Sequence, residues 1–111
     1  MIDAHCHLDL GAFDADRERC IERARELGVC GYVVAGVGPA GWESQRALER
    51  RWPEARAAFG LHPWFVADMR DEQLEPALEQ LAEAASFAIG ELGLDRSRRI
   101  PPDSLPRQEL A

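Results

Sequence analysis

Short apolar runs alternate with helical stripes along nearly the whole chain, and this rhythm limits what 111 residues can fold into. Met1 to Ala4 opens as a short strand. From Asp14 to Leu27, Cys20, Ile21, Ala24 and Leu27 repeat at helical spacing, and Gly28 follows as a cap. Gly31 to Ala35 is β-rich and apolar, the mark of a buried strand. Gly41 to Arg51 reads as a second helix, with Trp42, Gln45 and Leu48 on one side. Arg56 to Leu61 is a third strand. The next helix carries Leu74, Ala77, Leu78, Leu81 and Ala82 on one face, with Asp71 as a candidate cap and Pro76 implying a later regular start. Ser86 to Glu91 is a fourth strand. After Pro101 and Pro102, Asp103-Ser104 signals another helix running to Ala111.

Strands separated by helices imply a parallel sheet with right-handed crossovers. A doubly wound open sheet and a barrel share this pattern, and the pattern alone does not choose between them. There is room for one domain, residues 1–111. No apolar run approaches the ~20 residues that span a bilayer. The chain opens Met1-Ile2-Asp3-Ala4-His5 without a basic-then-apolar leader, so a cytoplasmic location is expected. The net charge of −7 argues against a broad basic surface for nucleic acid, although a bound cation can supply positive charge locally. All the basic residues are arginines. The doublets Arg50-Arg51 and Arg98-Arg99 read as solvated surface. Cys6, Cys20 and Cys30 lack zinc-type spacing and are expected as free thiols, with Cys20 and Cys30 in the core.

The chemistry gathers at strand ends, where parallel β/α proteins place their ligands. In Asp3-Ala4-His5-Cys6-His7 the two histidines are two apart, so an extended backbone points both to one face and lets them share a metal ion. Glu91 and Asp95 follow the fourth strand in Gly90-Glu91-Leu92-Gly93-Leu94-Asp95. His62 ends the third, in Leu61-His62-Pro63-Trp64. Each feature has a bland reading, as surface histidines or the first polar residue after a buried strand, but all three histidines of the chain fall at strand ends. Gly36-Val37-Gly38-Pro39-Ala40-Gly41 fits a dinucleotide-binding loop literally, yet the next strand ends in His62-Pro63 rather than the expected acid.

Together, Ile2-Asp3-Ala4-His5-Cys6-His7-Leu8, Gly60-Leu61-His62-Pro63-Trp64 and Ala88-Ile89-Gly90-Glu91-Leu92-Gly93-Leu94-Asp95 resemble the signatures of the TatD family of metal-dependent hydrolases, in order and near spacing. The resemblance implies a partial TIM (β/α)8 barrel, about four βα units of parallel sheet with helices on the outer side. It implies one or two divalent metal ions (magnesium, manganese or zinc) and hydrolysis of phosphodiester bonds, typically in DNA. His5 and His7 correspond to ligands of one metal, Glu91 to a carboxylate shared between metals, and His62 to a residue beside the scissile phosphate. The family's later histidines and aspartate are not in this chain, so the expectation is an incomplete, poorly active fragment that self-associates through open sheet edges. The alternatives are a non-catalytic metal-binding module and a nucleotide-binding module.

Overall fold

A computed structural model describes residues 1–84, 87–97 and 100–111. Four strands, β1 (Ile2–Cys6), β2 (Gly31–Ala35), β3 (Ala55–Phe59) and β4 (Ala88–Ile89), pair in parallel in the order of the sequence. Between them run α1 (Arg17–Glu26), α2 (Pro39–Arg51), the short α3 (Pro63–Asp68) and α4 (Asp71–Ala84), and α5 (Leu105–Leu110) follows. Each helix carries the chain back to the end where the previous strand began, which parallel pairing requires.

The side on which the helices lie chooses between the two architectures. Tyr32 pairs with Ala55 and Val34 with Ala57, so these four share one face of the sheet. Ile21 of α1 and Leu48 of α2 pack around Tyr32, Val34 and Ala55. Trp42 of α2 and Leu74, Ala77, Leu81 and Ala84 of α4 gather around Ala57 and Phe59. All these helices therefore cover the same face, whereas a doubly wound sheet needs them on both. Val33, Ala35, Arg56 and Ala58 belong to the opposite face. Strands in sequence order with helices on one side are four βα units of a (β/α)8 barrel.

Several boundaries differ from the sequence reading. β1 runs two residues further, to Cys6, and α1 begins at Arg17 after a short 3-10 turn at Gly11–Phe13. α2 starts at Pro39 rather than Gly41, because proline at the first helical position lacks only a hydrogen no acceptor needs. α4 starts at Asp71 and runs through Pro76, whose lost hydrogen bond is outweighed by burial of Leu74, Ala77, Leu81 and Ala84. Ala82 faces solvent and Leu78 is half-buried, so Ala84 completes the buried seam instead. β4 is shorter than expected, and Ser86 lies outside the described residues, as do Arg98 and Arg99. Cys30 is exposed and Cys20 half-buried, so neither is a core residue. Leu27 is exposed too, since α1 has ended and Gly28 turns the chain at a φ of 86°.

Candidate metal centre

His5 and His7 flank Cys6, which pairs with Val34 and packs on the helix-covered side. Alternation along a strand sends the two histidines to the other face. Between Asp3 and Cys6 the register with β2 slips, three steps of β1 matching two of β2, and this bulge re-aims the strand end. The Asp3 carboxylate accepts the His5 backbone N–H at 3.1 Å, which steadies the bulge. The Cys6 thiol lies 3.5 Å from the Val33 carbonyl, and burial pushes its pKa up. It fills space on the helix side and is not a ligand.

Glu91 arrives from the opposite edge. Three gaps of about 4.8 Å would put β1 and β4 about 14 Å apart in a flat sheet. Instead the Glu91 carboxylate lies 2.6 Å from His5 Nε2, 3.8 Å from His7 Nε2 and 3.7 Å from His62 Nε2. Backbone hydrogen bonds bring it there. The Gly90 N–H donates to the Phe59 carbonyl at 2.9 Å, and the Glu91 N–H to the Gly36 carbonyl at 2.7 Å, so the chain crosses the end of β3 to reach β2. Gly60 permits the crossing, because a Cβ there would collide with the backbone of Gly90 and Glu91.

Two histidines of the site are held in opposite tautomers. His7 Nδ1 sits 3.0 Å from the Ala35 carbonyl, which can only accept, so Nδ1 carries the hydrogen. Its Nε2 lone pair then faces Glu91, as a metal ligand requires. His62 caps α3, and its Nδ1 accepts the Trp64 backbone N–H at 3.1 Å. The neutral His62 ring must therefore carry its hydrogen on Nε2, which makes it a donor. Donor atoms of His5, His7 and Glu91 all lie within 4.8 Å of one another. Two ligands each ~2 Å from one ion are up to about 4 Å apart, so this set fits a divalent cation with little adjustment. Imidazoles with a carboxylate suit zinc and manganese, and the carboxylate suits magnesium.

Asp95 does not reach this cluster. Its carboxylate accepts the Ser97 N–H at 2.6 Å and the Trp64 indole N–H at 2.5 Å, and these bonds, Ser97 first, hold its pKa below the usual range. The glycine loop is occupied by the fold itself. The Gly36 N–H donates to the Ala58 carbonyl, a Cβ at Gly36 would come 2.8 Å from Gln45 Oε1, and one at Gly38 would come 2.9 Å from the Phe65 ring. These glycines serve close packing rather than a phosphate. Sequence reasoning missed α3, the His7–Ala35 contact and the part played by Trp64. Pro63 just after a polar cap was the available signal for α3. The other two join residues 28 and 31 positions apart and have no local signature.

The family profile described as TatD related DNase matches residues 2–109. An uncharacterized metal-dependent hydrolase, YjjV of Escherichia coli K12, is 37% identical over 97 residues, covering 85% of this chain and 37% of its own length. A 3'-5' ssDNA/RNA exonuclease TatD of Erwinia tasmaniensis is 36% identical over 104 residues, covering 90% of this chain and 39% of its own. The crystal structure of the TatD homologue YjjV from Escherichia coli K12 superposes with a TM-score of 0.74 at 33% identity, over 99% of this chain and 42% of that one. The chain thus spans about two fifths of the length of the relatives it matches.

Proposed function

Because this chain belongs to the family of TatD-related DNases, we propose that residues 1–111 are the first four βα units of a metal-dependent phosphodiesterase acting on nucleic acid, DNA foremost. The observation that carries this reading is the convergence of His5, His7 and Glu91 from opposite edges of the sheet onto one point at its carboxyl end. The relatives named as metal-dependent hydrolases and as an exonuclease support the reaction class.

His5 and His7 offer neutral ring nitrogens, and Glu91 offers a carboxylate with a second oxygen turned toward His62. The Ala35 carbonyl keeps His7 in its ligating tautomer and strengthens it as a donor of electrons. When bound, a magnesium, manganese or zinc ion supplies Lewis acidity toward a phosphoryl oxygen and lowers the pKa of water. His62 presents an Nε2–H toward the same space, where it hydrogen-bonds an anionic phosphoryl oxygen. Glu91 accepts a proton or a hydrogen bond on the oxygen that a cation leaves open.

A (β/α)8 barrel has eight strands, and four are present among the described residues, so the chain alone is proposed to bind metal without efficient turnover. No helix among the described residues is long and apolar enough to cross a membrane. The three free cysteines agree with a proposed cytoplasmic setting. The test is a titration of the 111-residue chain with zinc or magnesium, followed by the ring resonances of His5 and His7, beside a nuclease assay. Both rings should shift on binding. Replacing Glu91 by Gln should weaken affinity at least about 10–100-fold, the cost already seen for losing mere supporting contacts. Unmoved resonances at millimolar metal would overturn the reading. Metal-dependent cleavage by the monomer, abolished in His5→Ala, would show that four strands suffice for turnover.

A further inference from the structure

We propose that Asp95 is a positioning residue, which through Trp64 fixes the way His62 meets the substrate phosphate. The proposal rests on the metal-hydrolase reading for the substrate, but not for the contacts that carry it.

Trp64 touches His62 twice. Its backbone N–H caps Nδ1 at 3.1 Å, and its ring stands edge-to-face against the imidazole with centroids 5.4 Å apart and planes at 80°. The residue is 47% exposed, so burial alone does not orient the indole. Its Nε1–H donates to Asp95 Oδ2 at 2.5 Å, across 31 residues of sequence. Asp95 is itself held on both sides. Its Oδ1 accepts the Ser97 N–H at 2.6 Å, and its own N–H donates to Gln108 Oε1 at 2.7 Å. Gln108 of α5 is buried and donates to the buried Ser104 hydroxyl at 2.9 Å, which in turn donates to the Pro101 carbonyl at 2.6 Å. A continuous line of hydrogen bonds therefore runs from α5 through Asp95 and Trp64 to His62, whose Nε2 lies 3.7 Å from Glu91.

The tautomer of His62 decides whether that line matters. With Nδ1 capped by Trp64, the ring presents a hydrogen at Nε2, which attracts an anionic oxygen. With the cap lost, the alternative tautomer presents a lone pair, which repels the same oxygen. Asp95 stabilises the first arrangement by anchoring the residue that supplies the cap. This also gives α5, which carries no candidate ligand, a part in the site.

The experiment uses the 111-residue chain and long-range proton–nitrogen correlations of the histidine rings, which report which nitrogen bears hydrogen. The wild-type chain should show His62 protonated at Nε2 and His7 at Nδ1. Asp95→Ala and Trp64→Phe should shift His62 toward a tautomer mixture while His7 keeps its pattern, and Asp95→Asn should restore much of it, since an amide oxygen still accepts the indole N–H. Trp64→Phe keeps an aromatic side chain and a backbone N–H at this position but removes the indole donor that anchors them, so it decides the matter if Asp95→Ala unfolds. The affinity for inorganic phosphate with magnesium should fall roughly tenfold in Asp95→Ala, as for the loss of a hydrogen bond to a charged group. In a His62→Ala background the same substitution should cost nothing further, which a merely structural residue would not show. A His62 pattern unchanged in both Asp95→Ala and Trp64→Phe overturns the proposal. Failure of His5 and His7 to respond to metal would instead overturn the hydrolase reading and leave the contact chain intact.

Discussion

At one edge of the sheet, β1 pairs with β2 from Ile2 to Cys6, and the loop beyond it is pinned from several sides. Arg17 donates to the carbonyls of Leu8 and Leu10, His7 grips the Ala35 carbonyl, and Leu8 is buried against Ile21 and Tyr32. At the other edge, β4 has two paired residues, and Phe87, Ile89, Leu92 and Leu94 around it are all more than half exposed. Glu91 is placed by backbone hydrogen bonds to Gly36 and by the gap at Gly60. The candidate centre thus joins ligands on a braced edge to one on a loosely backed edge. The difference teaches that a bound ion would brace mainly the β4 side.

The largest expected effect comes from removing what the two edges share. Phe59 packs edge-on against Trp42 and pairs with Ile89, so it belongs to the core and to the β4 ladder at once. Phe59→Ala should cost about 3–5 kcal/mol in a urea unfolding curve. A loss below about 1 kcal/mol would mean that β3 is not the common support. Next in size is the metal itself. At a hundredfold excess over its dissociation constant, a cation that binds only the folded state should add about 2.7 kcal/mol. Hydrogen exchange should slow most at the amides of Gly90 and Glu91, and less at Tyr32 and Val34. Uniform slowing would erase the contrast between the edges. The smallest effect on stability is expected for Ile89→Ser, within about 0.5 kcal/mol because the side chain is exposed. The same change should reduce self-association in sedimentation at high concentration, if open apolar edges drive it. A large loss of stability in the monomer would show that Ile89 is covered after all.

The strand–helix rhythm was readable because its signals are local. Gly31–Ala35 emerged with its bounds as expected, being a continuous β-rich run between a capping glycine and a glycine loop. Boundaries drifted where tertiary packing overrode a local rule, as at Pro76, which sits inside α4. The choice of His5, His7 and Glu91 came from their types and strand-end positions. That the three meet was expected from the family resemblance, but the backbone crossing over Gly60 that brings Glu91 there has no local signature.

By itself, the sequence determined the order of the elements, the parallel sense of the sheet and the family signatures. Those follow from period, glycine and proline placement, and short motifs, all of which act over a few residues. Only the tertiary structure decided which face the helices cover, that Cys6 turns away from the site, and which nitrogen of His7 and of His62 carries its hydrogen. Each of these is set by a partner far along the chain: α-helical side chains for the face, Val34 for Cys6, the Ala35 carbonyl for His7. For His62 the cap is near, the backbone N–H of Trp64, but the indole of that same residue is anchored 31 residues away at Asp95. A hydrogen bond of that reach leaves no trace in local sequence, and so roles that look alike in the three histidines separate only once the chain is folded.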